Sequence, residues 1–162
     1  MPIPVDTVQE PNVEMTKVYR LGPARRLVNL VMTPLARHGI GGKSTYLLNT
    51  TGRRTGEKRT TPVILVEAGA ERCLVAPYGA VGWVHNVRAH PEISLRRGRT
   101  TEVFHAEEVG PEVAGAILQR YVENAAAVAT KPFFDAKRGD PEEKFAEEAP
   151  RHLVFRLVPG QR

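Results

Sequence analysis

The chain is poor in several residue types that define common protein classes. Its 162 residues include one cysteine, one tryptophan and few aromatic side chains of any kind, 6% in all. The single Cys73 cannot form an internal disulfide, which predicts a reducing compartment and hence the cytoplasm. It lies in an apolar, strand-like run, so we expect an inert core thiol. No stretch approaches the roughly 20 apolar residues that span a bilayer.

Two further absences argue against common catalytic classes. The only serines, Ser44 and Ser94, lie in predicted strands and not in the Gly-x-Ser-x-Gly turn that carries a hydrolase nucleophile. The five histidines are scattered and belong to no recognisable metal motif. The sequence therefore predicts neither a serine hydrolase nor a metal site.

What the chain does have is an excess of positive charge. Its formal net charge is +5 at pH 7, and its isoelectric point is about 9.7. Such an excess suggests an anionic partner, which is a nucleic acid, a membrane surface, or a phosphorylated or carboxylated ligand. Hydrophobic residues make up 41% and charged residues 25%, which is typical of one globular domain with a core of its own.

The N-terminal region differs from the rest of the chain. Residues 1–15 are expected to form a flexible leader, because they contain acids and prolines but no apolar signal core. Residues 16–162 are expected to form a single domain. Within it, residues 16–37 combine apolar positions at helical spacing with four arginines, which predicts a basic amphipathic helix. That helix either packs on the domain or makes peripheral contact with a membrane.

Beyond this helix the pattern is that of a β-rich domain. Strands are predicted over residues 44–49, 59–67, 72–76, 92–96, 100–107 and 152–158. Helices are predicted over residues 83–90 and 111–128, and an exposed acidic helix over residues 140–148. Because the strands outnumber the helices and follow one another through short turns, we expect an α+β fold. Its mainly antiparallel sheet would close into a barrel with flanking helices.

The most informative segment is a basic turn, residues 51–61. It holds three arginines and one lysine against a single acid, Glu57. Threonine hydroxyls surround these cations, and two glycines let backbone N–H groups turn toward one centre. Forked arginine donors, a lysine charge and small hydroxyls suit phosphate or carboxylate. The alternative is a solvated hairpin turn without a ligand. The glycines are not followed by a helix with a Lys-Ser or Lys-Thr pair, so the turn is not a P-loop.

A second informative segment follows the third predicted strand. It runs Ala76-Pro77-Tyr78-Gly79-Ala80-Val81-Gly82-Trp83-Val84-His85-Asn86. Its glycines and small residues let a flat ring approach the backbone, whose N–H groups can bond ring carbonyls. Trp83 is either a wall of such a pocket or a core residue, and Asn86 either braces the loop or faces the ligand.

Together the two segments resemble the signature of the deazaflavin-dependent nitroreductases. The first block is Thr51-Gly52-Arg53-Arg54-Thr55-Gly56, followed by Arg59-Thr60-Thr61-Pro62. The second is Gly82-Trp83-Val84-His85-Asn86-Val87-Arg88-Ala89-His90-Pro91, followed by a strand and Arg96-Arg97-Gly98. The order and the separation of the blocks are similar too, and the likeness covers residues 45–107.

The resemblance implies a split β-barrel of the FMN-binding type and a cofactor, coenzyme F420, whose deazaflavin ring carries a phospholactyl-oligoglutamate tail. In that family the basic turn holds the tail, which implies contacts from Arg53, Arg54, Thr55, Gly56, Lys58, Arg59 and Thr61. The later loop lies against the ring, which implies contacts from Pro62, Ala76, Pro77, Tyr78, Gly79, Ala80 and Val81, with Trp83 and Asn86 at the ring edge.

The resemblance also implies an activity. The chain would be an oxidoreductase that transfers a hydride between the deazaflavin and an electron-poor small molecule, such as an activated alkene, a quinone or a nitro compound. Where many members have Ser or Asn, this chain has Pro77-Tyr78 and a shorter path to Trp83. Two tyrosines are therefore catalytic candidates: Tyr78 as a substitute proton donor and Tyr121 as a residue lining the substrate pocket. A homodimer is a further expectation from the family.

Three other functions stay open. An FMN-dependent reductase on the same barrel needs fewer cations than the basic turn supplies, because FMN carries a single phosphate. A non-catalytic F420 carrier would share the binding residues but not the activity. A nucleic-acid-binding module would explain the high isoelectric point, but the basic turn lacks interleaved aromatic residues. We therefore expect no nucleic-acid partner.

Overall fold

The computed structural model describes residues 42–127 and 130–161, which form six strands, three helices and two 3-10 turns. The strands are β1 (Thr45–Thr51), β2 (Lys58–Ala68), β3 (Glu71–Ala76), β4 (Glu92–Arg97), β5 (Thr100–Glu108) and β6 (Leu153–Pro159). The helices are α1 (Gly82–Ala89), α2 (Pro111–Glu123) and α3 (Glu142–Glu148), and the 3-10 turns cover Ala125–Ala127 and Lys131–Phe133.

The strands close into one antiparallel barrel in the order β1-β2-β3-β6-β5-β4. Side chains alternate between its two faces, so every second residue of a strand points inward. Leu48 on β1 lies opposite Leu95 on β4, and both are buried in the barrel core. The predicted α+β fold, with a mainly antiparallel barrel and flanking helices, is confirmed.

One end of the barrel is closed by α1. Trp83, Val84 and Val87 on this helix belong to the barrel core. Because neighbouring strands run in opposite directions, β1 and β3 end at the same end of the barrel at which β2 and β4 begin. The basic turn joins β1 to β2, and residues 77–81 join β3 to α1. The fold therefore brings both segments singled out in the sequence to one end of the barrel.

A second core lies outside the barrel, where α2 and α3 cover β3 and β6. Cys73, Leu118 and Phe145 are among its buried residues. Gly115 lets the two helices approach closely, because a Cβ there would lie 3.0 Å from the backbone oxygen of Glu142. Cys73 is fully buried, and burial raises the pKa of its thiol to about 11. The prediction of an inert core thiol is confirmed.

Two helical predictions differ from the structure. The helix predicted over residues 111–128 ends at Glu123, after which the chain turns into a short 3-10 segment. The acidic segment is helical over Glu142–Glu148 only, and it is not wholly exposed. Its Phe145 enters the second core and its Glu148 is 3% exposed, so one face of this helix is structural.

The predictions for the leader over residues 1–15 and for the basic helix over residues 16–37 lie outside the described residues. Among the residues that are described, no helix is long and apolar enough to cross a membrane.

Candidate functional site

The basic turn is closed by its own backbone. The Gly52 N–H donates to the Glu57 carbonyl at 2.7 Å, and the Gly56 N–H donates to the Gly52 carbonyl at 2.8 Å. Gly56 has a positive φ of 70°, which an L side chain rarely adopts. The Glu57 N–H donates to the Thr55 hydroxyl at 3.3 Å. The two glycines thus shape the turn, but both of their N–H groups are bonded within it and do not point toward an external anion as the sequence predicted.

The four cations of the turn are not equivalent. Arg53 is tied down, because its backbone N–H and its Nη1 both donate to Asn86 Oδ1, at 3.2 Å and 3.4 Å. Arg59 pairs with Glu57 at 3.0 Å. Arg54 and Lys58 are exposed, and neither has an ion-pair partner among residues 42–127 and 130–161. Arg53 bonds to a neutral amide, so three of the four positive charges, those of Arg53, Arg54 and Lys58, have no carboxylate partner within the described part of the chain.

Asn86 joins the basic turn to the end of the barrel. It lies on α1, is 6% exposed, and donates from Nδ2 to the Thr50 hydroxyl at 3.2 Å. Its Oδ1 accepts the two Arg53 bonds. The sequence left two roles open for Asn86, and these contacts show the bracing role. Contact with a ligand stays a prediction for Asn86.

Thr61 and Pro62 follow the turn on β2, opposite Leu48 and Leu47 of β1. Both are partly buried. Because adjacent strand residues face opposite sides of a sheet, only one of the two side chains can face the barrel interior. Thr61 has the same parity as the buried core residue Val63, so Thr61 is the inward one.

The loop of residues 77–81 has a fixed backbone. The Gly79 N–H donates to the Ala76 carbonyl at 3.1 Å, and the Val81 N–H donates to the Gly79 carbonyl at 2.8 Å. Gly79 has a φ of 77°, and a Cβ there would lie 3.2 Å from the backbone oxygen of Arg151. Ala80 is exposed, whereas Tyr78 is partly buried. The loop thus places small residues and main chain at the surface of the barrel end.

The loop leads directly into the N-terminus of α1. Val81 is the N-cap, it makes no side-chain capping bond, and the first turn of the helix contains no acidic residue. The first N–H groups of a helix lack internal partners and carry partial positive charge. The end of α1 that adjoins residues 77–81 therefore favours negative charge in a neighbouring group.

Two predicted site residues are buried away from this surface. Trp83 is 7% exposed in the barrel core, with its ring 5.6 Å from that of Phe155. Tyr121 is 2% exposed in the second core, where its hydroxyl lies 3.1 Å from Thr130 Oγ1. The core interpretation thus describes Trp83, and the roles of Trp83 and Tyr121 at a ligand stay predictions.

A buried pair beside the loop was not predicted from the sequence. His152 Nδ1 lies 2.8 Å from the Pro77 carbonyl, and His152 Nε2 lies 3.2 Å from Glu148 Oε2. The sequence predicts only scattered histidines and an exposed acidic helix over residues 140–148. The separation of four residues between an acid and a histidine was a signal for the pair itself. Nothing local to the sequence links them to Pro77.

A cavity of about 580 Å³ lies at the opposite end of the barrel, bounded by Tyr46, Glu67 and Arg97 among others. Neither the basic turn nor the loop of residues 77–81 lines it. We place the candidate site at the α1 end nevertheless, because the basic turn, the loop of residues 77–81 and the N-terminus of α1 meet there. In the described ranges, no group of three or more His, Cys, Asp or Glu residues is placed to hold a metal ion.

Comparison with known proteins identifies a family whose model matches more than half of this chain. The model of a family described as F420H(2)-dependent quinone reductase matches residues 25–134. A curated F420H(2)-dependent quinone reductase of Mycobacterium tuberculosis is 34% identical over 75 residues, which are 44% of this chain and 50% of that protein. The chain thus spans about half the length of the curated relatives it matches.

Solved structures with the same fold include two that cover most of this chain. One is described as an F420-H2 dependent reductase; it is 24% identical with a TM-score of 0.50, over 72% of this chain and 95% of its own. The other is described as a domain-swapped dimer; it is 19% identical with a TM-score of 0.52, over 85% of this chain and 100% of its own. At these identities the likeness shows the fold alone.

Proposed function

Because the chain belongs to the family of F420H(2)-dependent quinone reductases, we propose that it is an F420-dependent oxidoreductase that acts at the α1 end of the barrel. It would transfer a hydride between the deazaflavin and an electron-poor small molecule, which is a quinone, an activated alkene or a nitro compound. The relatives' names favour a quinone among these acceptors.

The observation that carries this proposal is the cluster of cations at the basic turn, three of which have no ion-pair partner among the residues that the structure describes. The tail of coenzyme F420 bears several negative charges on phosphate and carboxylate groups, and such groups bind best to charged donors. Arg54 and Lys58 are exposed on a turn whose backbone is already fixed, so they can bind an anion without first breaking an ion pair. Arg53 and Arg59 would add positive potential while staying bound to Asn86 and Glu57.

The ring would lie against the loop of residues 77–81. When bound, the reduced deazaflavin supplies the hydride, and the protein orients the ring and excludes water. Small residues let the ring approach main chain closely. The uncapped N-terminus of α1 would stabilise negative charge on ring carbonyls. Little acid–base machinery is then required of the side chains.

Tyr78 is the better of the two catalytic candidates. It lies within the loop, is partly buried, and its ring meets that of Phe133 edge-on at 5.0 Å. Tyr121 is buried in the second core on the other side of the sheet. We therefore propose Tyr78 as the residue that donates a proton to the acceptor, with Tyr121 as a packing residue.

Titration of the protein with F420 and with FMN tests the cofactor. The double variant Arg54→Ala/Lys58→Ala is expected to bind F420 about tenfold more weakly, which corresponds to about 1.4 kcal/mol. The double variant Lys43→Ala/Arg99→Ala removes the same charge from exposed positions at the opposite barrel end, and it should bind like the wild type. Equal weakening in both double variants would overturn the placement of the tail on the basic turn.

Turnover assays separate the remaining alternatives. With reduced F420, oxidation by a quinone, an enone and a nitroaromatic is followed by the return of cofactor absorbance. F420 binding without turnover of any acceptor would indicate a carrier, and tighter binding of FMN than of F420 would indicate a flavin reductase. A shifted band in a gel assay with DNA or RNA would instead support the nucleic-acid alternative.

We also propose that the protein acts as a homodimer, for which the structural neighbour described as a domain-swapped dimer is the support. Light scattering at assay concentrations is the test, and a mass near 18 kDa rather than twice that value would contradict it. A cytoplasmic location stays a prediction from the single cysteine.

A further inference from the structure

Glu148 and His152 form a buried pair beside the candidate site. Glu148 is 3% exposed at the end of α3, and His152 is 4% exposed just before β6. Their side chains meet at 3.2 Å between Oε2 and Nε2. Buried ionisable groups are uncommon unless hydrogen-bonded partners satisfy them. The pair therefore needs an explanation that the exposed acids of the same helix do not.

The Glu148 carboxylate is oriented by backbone donors. The Asp135 N–H donates to Oε2 at 3.2 Å, and the Ala136 N–H donates to Oε1. Arg151 Nη2 lies 3.9 Å from Oε2 and 2.9 Å from the Asp135 carboxylate. These contacts fix the carboxylate in the position where it meets His152.

His152 in turn holds the start of the loop. A carbonyl oxygen only accepts hydrogen bonds, so the contact of 2.8 Å to the Pro77 oxygen places a proton on Nδ1. The ring stacks on Phe134, with centroids 3.9 Å apart and planes 19° from parallel. The adjacent Arg151 oxygen bounds the space at Gly79. Two consecutive residues thus meet the loop at two points.

We propose that His152, oriented by Glu148, is a positioning residue that holds residues 77–81 in the conformation against which the cofactor ring lies. The role at the ring rests on the proposed function, whereas the hold on the loop does not. The pair touches no reacting group. Its effect passes through one hydrogen bond to the Pro77 carbonyl and through the packing of the Gly79 backbone.

The bond to Pro77 requires a proton on Nδ1, which the imidazolium and one of the two neutral tautomers carry. In that neutral tautomer Nε2 has no proton to donate to Glu148, so only the imidazolium can donate to both acceptors. Burial, as the largest influence, lowers the pKa of the imidazole, while the Pro77 carbonyl and the Glu148 carboxylate offset part of that effect. The charged groups around the ring are Glu148, Arg151 and, beyond them, Asp135. The bond to Pro77 is therefore open to both charge states of the ring, whereas donation to Glu148 as well requires the charged one.

Two substitutions of His152 separate its two contacts. In His152→Asn the amide nitrogen takes the place of Nδ1 and can still donate to Pro77, whereas the contact with Glu148 is lost. In His152→Gln the amide takes the place of Nε2 and can still meet Glu148, whereas the donor to Pro77 is lost. Hydrogen–deuterium exchange of the loop amides is measured in the cofactor-free proteins, and thermal unfolding checks that both variants are folded.

We expect exchange at Gly79 and Val81 to be about fivefold faster in His152→Gln and close to wild type in His152→Asn, as the loss of one neutral hydrogen bond implies. F420 affinity should fall by a similar factor in the Gln variant only. Equal exchange in the two variants overturns the proposal, and so does faster exchange in the Gln variant with unchanged F420 affinity. A wild-type protein that binds no F420 overturns the proposed function, while the exchange result still decides whether His152 holds the loop.

Glu148→Gln provides a second route should either variant of His152 fail to fold. It keeps the shape of the side chain but replaces one acceptor oxygen by a donor, so the orientation of His152 is weakened rather than lost. Loop exchange is expected to lie between wild type and His152→Gln. An unchanged rate would overturn the role assigned to Glu148.

Discussion

The basic turn and the loop of residues 77–81 lie at the same end of the barrel but differ in how they meet the rest of the molecule. Both have backbone bonds of their own. Arg54 and Lys58 extend from the turn into solvent, whereas the loop packs against the segment before β6, where His152 bonds to the Pro77 carbonyl and the Arg151 oxygen faces Gly79. Charge attraction acts over distance and tolerates mobile side chains, whereas stacking of a ring on main chain requires a fixed surface. Each segment has the construction that its proposed task needs.

The largest effect is expected from a substitution of Gly79, in the loop of residues 77–81. A side chain there suffers both the positive φ of 77° and a contact of 3.2 Å with the Arg151 oxygen. We expect Gly79→Ala to reduce the free energy of unfolding by about 2 kcal/mol and F420 affinity more than tenfold.

The matched control is Gly69→Ala, at a φ of 65° with open space around the new Cβ, in the turn between β2 and β3 at the other barrel end. It should lose about 1 kcal/mol of stability and keep F420 affinity. Chemical denaturation and cofactor titration measure both quantities, and equal affinities in the two variants would contradict the importance of the loop.

The next largest effect is expected at Asn86, which connects the basic turn to α1. Asn86→Ala deletes the bonds to Thr50 and to Arg53 and leaves buried polar groups unpaired. We expect a loss of about 1–2 kcal/mol in the free energy of unfolding, with F420 affinity lowered through the displaced turn. Urea denaturation is the measurement. A variant as stable as the wild type would show that the turn and α1 are held together by other contacts.

A smaller effect on F420 affinity is expected from a substitution that removes the acidic residue of the basic turn. Glu57→Gln releases Arg59 from an exposed ion pair, so that none of the four cations of the basic turn keeps a carboxylate partner among the described residues. Exposed pairs contribute little energy, so F420 affinity should rise only about twofold, and the gain should disappear in high salt because exposed charges are screened. Titration at two ionic strengths is sufficient. Weaker binding in the variant would mean that Glu57 serves the turn as a structural residue.

The smallest effect concerns the anchor of α1, on which both segments depend. Arg88 on α1 makes two bonds to the Glu108 carboxylate, at 2.9 Å and 2.7 Å, and these lower the pKa of Glu108. A lowered carboxyl pKa gives stability that is present above the unfolded value of about 4.3 and lost as the pH falls through the folded value.

Wild type should therefore exceed Glu108→Gln in stability by less than about 1 kcal/mol at pH 7, and the difference should vanish in acid. Thermal unfolding at pH 7 and at a series of pH values from about 4 down to about 2 measures the change. A difference that persists in acid would assign the effect to packing instead of charge.

The sequence was sufficient for most of the strands because their signals are local. The alternation in residues 153–157 and the glycines of the basic turn act within a few residues, and both segments lie where they were predicted. The position of α1 over the barrel end also follows from the short connections around it. Predictions were less accurate where burial of a polar residue decides the structure, as at Glu148 on the helix that was expected to be exposed.

The residues that hold the candidate site in place could not be predicted for a related reason. His152 meets Pro77 across 75 positions of sequence, and only closure of the barrel brings β6 beside β3. Trp83 shows the same limit, since its place in the barrel core depends on α1 entering from the end. Local patterns identified the two segments of the candidate site, while the residues that hold these segments in place required the complete topology.

Each of the six described strands has a hydrogen-bonded neighbour on both sides. Main-chain donors and acceptors are fully used, however, only where both neighbours flank the same residues. Among the described strands, residues 58–64 of β2 pair with β1 alone, because the pairing with β3 begins at Leu65. A second polypeptide could therefore add a strand without opening the barrel only along such singly paired stretches.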